Sequence, residues 1–491
     1  MITGKDIYYV VSALVPLYSP MILAYCSVKW WKIFTPEQCA GINRFVAVFA
    51  VPFLSFRFIS SNDPLTMNLP FIAADTLQKV VILCALLLWN AFTKSGSIDW
   101  TLTLFSLSTI PNTLVVGVPL LSSMYGGSVA SLMGQIVVLQ CVVWLPVIIF
   151  LYEYRGAKQL ISEKFPETAG SITSFKVDSD VSSFNGKEPL QADVEVKENG
   201  ELHVVVRSAS SNNYFSNTVT GLQSCREPMQ ICSCFETLGN LQNDETFQVE
   251  IMSKMNKEKF CRSKSCNDIT IGVQHELIYT SPGLKAIGDK EVGIVEGIQQ
   301  YYLSEGMKGV MNIEEIDANK KQQMPPTIVM TKLILTTVCR NLMTNPNTYA
   351  SVLGLAWSFI TFRWNIEMPS VINGSITVLS NTGLGMAMFS LGLFMALQPK
   401  IIACGKSLAA LAMVARFLVG PAVMAATSIL IGIRGVLLHV SIVQAALPQA
   451  IATFVFAKEY NVHADILSTS VVFGTVISLF ATIIYYVLLE L

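Results

Sequence analysis

Ile110-Pro111-Asn112-Thr113 and Leu447-Pro448-Gln449-Ala450 decide how this chain is read, because each places a proline and a carboxamide in the middle of a long apolar run. The two prolines are 337 positions apart, and the same shift carries Lys79 onto Arg416, so a cation recurs ahead of each proline. A duplicated half is the simplest account. A proline removes one backbone hydrogen bond and crowds the preceding turn. Hydrocarbon tolerates the freed groups only where protein or a water-filled cavity satisfies them. Paired broken helices in two halves therefore point to a transport site near mid-membrane.

Composition fits that reading, with 52% hydrophobic and 14% charged residues in 491 and a mean hydropathy of +0.51; soluble domains carry about 25% charge. Runs long enough to cross a bilayer, roughly 20 residues each, fall near 8–27, 43–60, 70–91, 100–122, 130–151, 335–360, 371–397, 407–431, 434–457 and 466–489. The first lacks a strong basic leader and a small-x-small cleavage site, and it reads as a retained span rather than a signal peptide.

The net charge of −1 conceals an uneven distribution, since residues 156–327 hold 24 of the 34 acids and 17 of the 33 bases. Of the acids elsewhere, Asp75 alone falls inside an expected span, and Glu153 is placed at a span end. Lys and Arg in short loops favour the cytoplasmic side. Lys29, Lys32, Arg44, Lys94, Arg155, Lys158, Lys400, Lys406 and Lys458 then lie inside, against single exceptions at Arg57, Arg363 and Arg434. Both termini are expected outside the cytosol. Five spans per half is an odd number, so the second half enters in the opposite sense and the repeat is inverted.

The expected organisation is a five-helix membrane repeat over 1–155, a cytosolic and largely disordered loop over 156–327, and a second five-helix repeat over 328–491. The loop is polar and rich in Ser and Asn. Its exception is 192–208, where Asp193-Val-Glu-Val and His203-Val-Val-Val flank Asn199-Gly200, a hairpin signal for a small β-element. The eleven cysteines form no CxxC pair. Cys232, Cys234, Cys261 and Cys266 lack zinc-finger spacing, so no metal site and no cofactor is expected. Asn373-Gly374-Ser375 fits a glycosylation sequon but abuts a span, and it is assigned no role.

Asp75 and Lys79 lie one turn apart on one helix face and can pair. Charges at mid-bilayer are functional candidates by default. The pair reads either as a support site whose protonation or pairing alters the broken helices, or as a static neutralised pair. Arg416 has Ala412 where Lys79 has Asp75, so it either faces the crossing region or attracts an anion. Pro111 and Pro448 each end one half-helix and start another. The free N–H groups and the helix dipole at such a start favour negative charge. Asn112 and Gln449 add side-chain donors there, an arrangement better suited to a carboxylate than to sodium. Asn347, in Asn345-Pro346-Asn347-Thr348, is a further polar candidate.

Several stretches carry a family resemblance: Lys32-Ile33-Phe34-Thr35-Pro36, Gly41-Ile42-Asn43-Arg44-Phe45-Val46, Ile110-Pro111-Asn112-Thr113, the run Gly385 to Leu397, and the run Phe454 to Val462. They resemble the PIN-type auxin efflux carriers of plants, over both membrane halves. The resemblance implies an all-α membrane protein of ten helices in two inverted repeats, with helices four and nine broken where they cross. It also implies a homodimer and an elevator-like motion of a transport domain against a scaffold. Carried over by position, Asn112 and Asn347 would contact the carboxylate of indole-3-acetate. Val51, Leu114 and Ile451 would touch its ring or neighbouring atoms, and Asp75 with Lys79 would form the support site. The partners implied are indole-3-acetate and related weak-acid anions, the lipid bilayer and kinases acting on the loop, with no nucleic acid.

Departures matter too. Long-loop members of that family have repeated Thr-Pro-Arg-x-Ser motifs, whereas no Thr-Pro-Arg occurs here, and short-loop members of the endoplasmic reticulum have far less loop. Plasma membrane, endoplasmic reticulum or both are expected. No Walker motif is present, and the chain reads as a carrier rather than an enzyme. Two alternatives stay open at this point: a sodium-coupled organic-anion symporter of related fold, and a non-transporting membrane sensor with the loop as effector.

Overall fold

The computed structural model describes residues 4–166, 168–187, 189–196, 202–208 and 324–490. All of them belong to one unit, residues 1–241 with 322–491.

Apolar helices dominate because sustained hydrophobic runs carry few backbone alternatives in a non-aqueous setting. The first half contains α1 (Gly4–Lys29), α2 (Pro36–Phe45), α3 (Val51–Ser60), α4 (Leu69–Phe92), α5 (Ile98–Thr109), α6 (Val118–Tyr125), α7 (Ser128–Leu139) and α8 (Leu145–Lys164). A small sheet follows, made of β1 (Ile172–Val177), β2 (Leu190–Val196) and β3 (Leu202–Ser208). The second half contains α9 (Thr327–Thr344), α10 (Pro346–Trp364), α11 (Ser370–Leu397), α12 (Lys406–Val414), α13 (Gly420–Ile431), α14 (Val436–Ala445), α15 (Ile451–Glu459) and α16 (Ala464–Glu490).

Four wide turns interrupt this pattern, at Val46–Ala50, Thr113–Gly117, Gln140–Trp144 and Ala415–Val419, each closed by an N–H bonded five residues back. A proline stands at the second position of every helix that follows: Pro52, Pro119, Pro146 and Pro421. Its ring would collide with the carbonyl four residues earlier, and one extra residue in the turn moves that carbonyl aside. These prolines are a local sequence signal for wide turns inside apolar runs.

Two helix pairings frame the molecule, α1 along α11 and α10 along α3. Close approach is permitted by glycine: a β-carbon at Gly392 of α11 would lie 2.1 Å from the Met21 carbonyl oxygen of α1. Under the shift of 337, α1 overlaps α10 and the α2–α3 helix overlaps α11, so the two pairings exchange when the halves exchange. A second body gathers α4, α13, α5, α14, α15 and α16 around a core that includes Phe71, Leu107, Val116, Leu121, Val440, Val443, Leu447 and Phe454.

Among the described residues, six helical stretches are long and apolar enough to cross a membrane: Pro36–Ser60, Leu69–Phe92, Ser128–Lys164, Ser370–Leu397, Lys406–Ile431 and Ala464–Glu490. The runs expected over 100–122 and 434–457 are each halved by their proline. The run expected over 335–360 is divided as well, because Asn345 adopts an extended conformation and its side chain accepts the N–H of Asn347, starting a new helix at Pro346.

α8 continues past residue 155 and runs unbroken to Lys164. β2 and β3 pair antiparallel from Leu190↔Ser208 to Val196↔Leu202, on either side of the Asn199-Gly200 signal. β1 joins β3 in parallel, giving the order β1-β3-β2. Ile172, Val204 and Val206 pack with Ile148 and Tyr152 of α8 and Met330 of α9. The described residues of 169–208 are thus folded onto the helices, while the rest of the loop expected to be largely disordered over 156–327, namely 209–323, lies outside the described residues.

Candidate functional site

The two breaks meet. Pro111 and Gln449 form an antiparallel β-bridge, in which the Asn112 N–H donates to the Pro448 carbonyl at 2.8 Å and the Ala450 N–H donates to the Ile110 carbonyl at 3.2 Å. Extended backbone that would be costly in hydrocarbon is therefore satisfied by its counterpart from the other half. Helix starts follow in both segments, at Thr113 and Ile451, with their first N–H groups lacking intrahelical acceptors.

Side chains from the wide turns complete the crossing. Gln140 donates from Nε2 to the Pro111 carbonyl at 3.0 Å and accepts at Oε1 from the Thr113 hydroxyl at 3.2 Å, so it spans the first break around Asn112. Arg416 donates from Nη1 to the Leu107 carbonyl at 3.1 Å and from Nε to the Leu447 carbonyl at 2.7 Å. Leu107 is four residues before Pro111, so its carbonyl is the one the missing proline N–H leaves free. Arg416 is fully buried, and its Nη2 has no partner among the described residues. Two of its donating atoms are thus committed to backbone, which is the crossing-region alternative, and one remains uncommitted.

Asp75 and Lys79 form a buried ion pair one turn apart on α4. Neither has a further hydrogen-bond partner among the described residues, and the Lys79 ammonium lies 5.6 Å from the centre of the Trp144 ring.

The carboxamides of the two breaks differ. Asn112 is 8% exposed, and its side chain has no hydrogen-bond partner among the described residues. Gln449 is 1% exposed, and its Nε2 is shared between the Ser106 carbonyl at 2.9 Å and the Thr453 hydroxyl at 2.8 Å. Asn347 accepts the Ser55 hydroxyl at 2.8 Å and directs Nδ2 toward the Cys141 sulfur at 3.8 Å. Leu114 and Cys141 both pack against the buried cluster of Ile59, Val137 and Val138, and Val51 and Val115 both pack against Val46, Ala50 and Ala387. Asn347, Val51 and Leu114 are all half-buried. Ile451 packs against the larger core at the start of α15, and Gln449 faces the interior between α5 and α15.

Gln140, Ser55, Cys141 and Thr453 were missed in the sequence. A glutamine inside the apolar run 130–151 was the available signal for Gln140. Glu153 corrects an expectation outright: it is fully buried within α8 rather than at a span end, because α8 continues and the segment after β1 covers it.

Comparison with known proteins places these features in a wider set. The sequence profile described as "Membrane transport protein" matches residues 9–486. Auxin efflux carrier component 2 of Arabidopsis thaliana is 45% identical over 647 aligned positions, covering all of both chains. Auxin efflux carrier component 1 of the same plant is 44% identical over 623 positions, again over both full lengths. Probable auxin efflux carrier component 1b of Oryza sativa subsp. japonica is 48% identical over 558 positions, with the same complete coverage.

Proposed function

The chain belongs to the membrane transport protein family, and from that premise we propose that it is an auxin efflux carrier which exports the indole-3-acetate anion from the cytosol. One observation carries the site: at the first break a carboxamide without a partner among the described residues, Asn112, stands at the start of a helix, with Val51, Leu114 and Asn347 half-buried. A carboxylate gains there from the helix-start N–H groups and dipole. The indole ring needs apolar walls with few oriented polar groups, which Val51, Leu114 and Ile451 provide. Related weak-acid anions with a flat apolar body fit the same description.

Gln449 contributes mainly by holding α15 to α5, and Pro111 and Pro448 keep the crossing extended. Asp75 and Lys79 supply a buried support whose titration would alter the crossing. The uncommitted Nη2 of Arg416 adds positive potential for an arriving anion. The carrier works by alternating access as ten spans in two inverted repeats, with the body around α4, α5, α13 and α15 moving against the α1–α11 and α3–α10 frame as an elevator. It acts as a homodimer, with both termini outside the cytosol and the central loop inside and open to kinases. It resides in the plasma membrane, the endoplasmic reticulum or both. Moving one charge through 100 mV is worth about 2.3 kcal/mol, so an inside-negative potential drives the anion outward without ATP.

The relatives are named as efflux carriers, and the symporter and sensor alternatives are not carried further. The test is export of labelled indole-3-acetate from cells or loaded vesicles in sodium-free buffer. Export by the wild-type chain that collapses in Asn112→Ala supports the reading. Wild-type rates in Asn112→Ala overturn the site, and no wild-type export overturns the function.

A further inference from the structure

Away from the crossing, a fully buried carboxylate is held by groups that transport chemistry does not use. Glu153 of α8 accepts the Tyr460 hydroxyl at Oε1, at 2.7 Å, and the Phe184 N–H at Oε2, at 3.0 Å. The Tyr460 hydroxyl in turn accepts from Ser183 Oγ at 3.1 Å and from Asn341 Nδ2 of α9 at 3.3 Å. One donation and two acceptances exhaust a phenol's capacity. Burial, followed by the Glu153 carboxylate, holds the Tyr460 phenol well above its ordinary pKa, so it stays a donor. The ring stacks on Tyr152 with centroids 4.9 Å apart.

The Tyr460 backbone is tied as well. Its carbonyl accepts Arg155 Nη1 at 3.1 Å, and the same guanidinium grips Asp99, in the first turn of α5, through Nε at 2.7 Å and Nη2 at 3.1 Å. His463 adds a contact to α5, its Nδ1 lying 2.9 Å from the Thr103 hydroxyl. The half-helices α5 and α15 are therefore joined at the crossing, through Ile110 and Ala450, and joined again at their outer ends.

The stretch 177–185 completes this outer joint. Arg340 of α9 donates to the carbonyls of Val177 at 3.1 Å, Asp178 at 2.5 Å and Val181 at 3.0 Å. Phe184 presses so closely on α8 that a β-carbon at Gly156 would lie 2.2 Å from its carbonyl oxygen.

We propose that Tyr460 is a positioning residue for transport: it anchors the outer end of α15, with 177–185 seated behind it, so that α15 and α5 move as one body. The inference rests on the carrier reading. α15 has nine residues, about 13 Å of helix, and a helix that short is marginal unless held at its ends. Loosening Tyr460 lets α15 fray toward the crossing and lowers the rate of the moving step, while the distant substrate contacts keep their affinity.

The experiment compares wild type, Tyr460→Phe and Arg340→Gln as full-length chains. Export of labelled indole-3-acetate is normalised to folded carrier by size-exclusion, and amide hydrogen exchange is read over 177–185 and 451–459. Tyr460→Phe keeps the ring stack and removes only the hydroxyl. The expected result is a three- to tenfold lower maximal rate with KM within twofold, together with faster exchange over both stretches. Arg340→Gln gives the same direction with a smaller loss. Unchanged exchange, an unchanged rate per folded molecule or a raised rate overturns the proposal while wild-type export stands. Absent wild-type export overturns the carrier reading and the proposal with it.

Discussion

Lys79 and Arg416 occupy equivalent positions in the two halves, as do Asn112 and Gln449, yet each pair is used unequally. The first cation is neutralised by Asp75 on its own helix, and the second is spent on the Leu107 and Leu447 carbonyls. The first carboxamide is left without a partner, and the second is bound to Ser106 and Thr453. The two breaks match in backbone, while divergence at single side chains leaves one carboxamide uncommitted and the other braced between α5 and α15.

The sharpest way to break this comparison is at the cations. Lys79→Met strands a buried carboxylate and is expected to cost about 3–5 kcal/mol, read as thermal unfolding in detergent. Most of that loss should return in Asp75→Asn/Lys79→Met, and a double variant as unstable as the single would show that the pair is not the unit. Arg416→Gln strands no charge and should cost less, about 1–3 kcal/mol, because the glutamine amide can still serve one of the two carbonyls.

Carboxamide substitutions separate binding from bracing. Asn112→Ala removes a donor to an anion, worth about 1.5–3 kcal/mol, so export at low substrate should fall roughly tenfold or more with little change in unfolding temperature. Gln449→Leu should do the reverse. Freeing the Ser106 carbonyl costs about 1–3 kcal/mol of stability, and KM should move little. Equal stability losses in the two variants would erase the distinction. The smallest effect belongs to Pro146→Ala beside the Gln140 turn. Restoring an N–H at a helix start should shift stability by under about 1 kcal/mol, measurable by the same unfolding assay.

The breaks at Pro111 and Pro448 were legible because a missing N–H and a ring clash act within one turn. The antiparallel pairing of β2 with β3 was legible because alternating side chains on either side of an Asn-Gly are also a local signal. β1 was not, because its parallel pairing with β3 depends on contacts across some thirty residues. Glu153 was misplaced because a charged residue at the end of an apolar run reads as exposed until another segment is known to cover it. The division at Asn345 was available as a cap signal and was outweighed by the apolar run through it.

The sequence by itself determined the membrane character, the two breaks, the matched cations and the family to which the chain belongs. All of these rest on composition, on proline's fixed chemistry and on residues read in register. Tertiary structure alone decided that the breaks pair with each other, that Arg416 supplies the donor Pro111 lacks, and that Asn112 stays available while Gln449 does not. The physical reason is that a buried polar group is defined by whichever partner reaches it, and those partners come from hundreds of residues away.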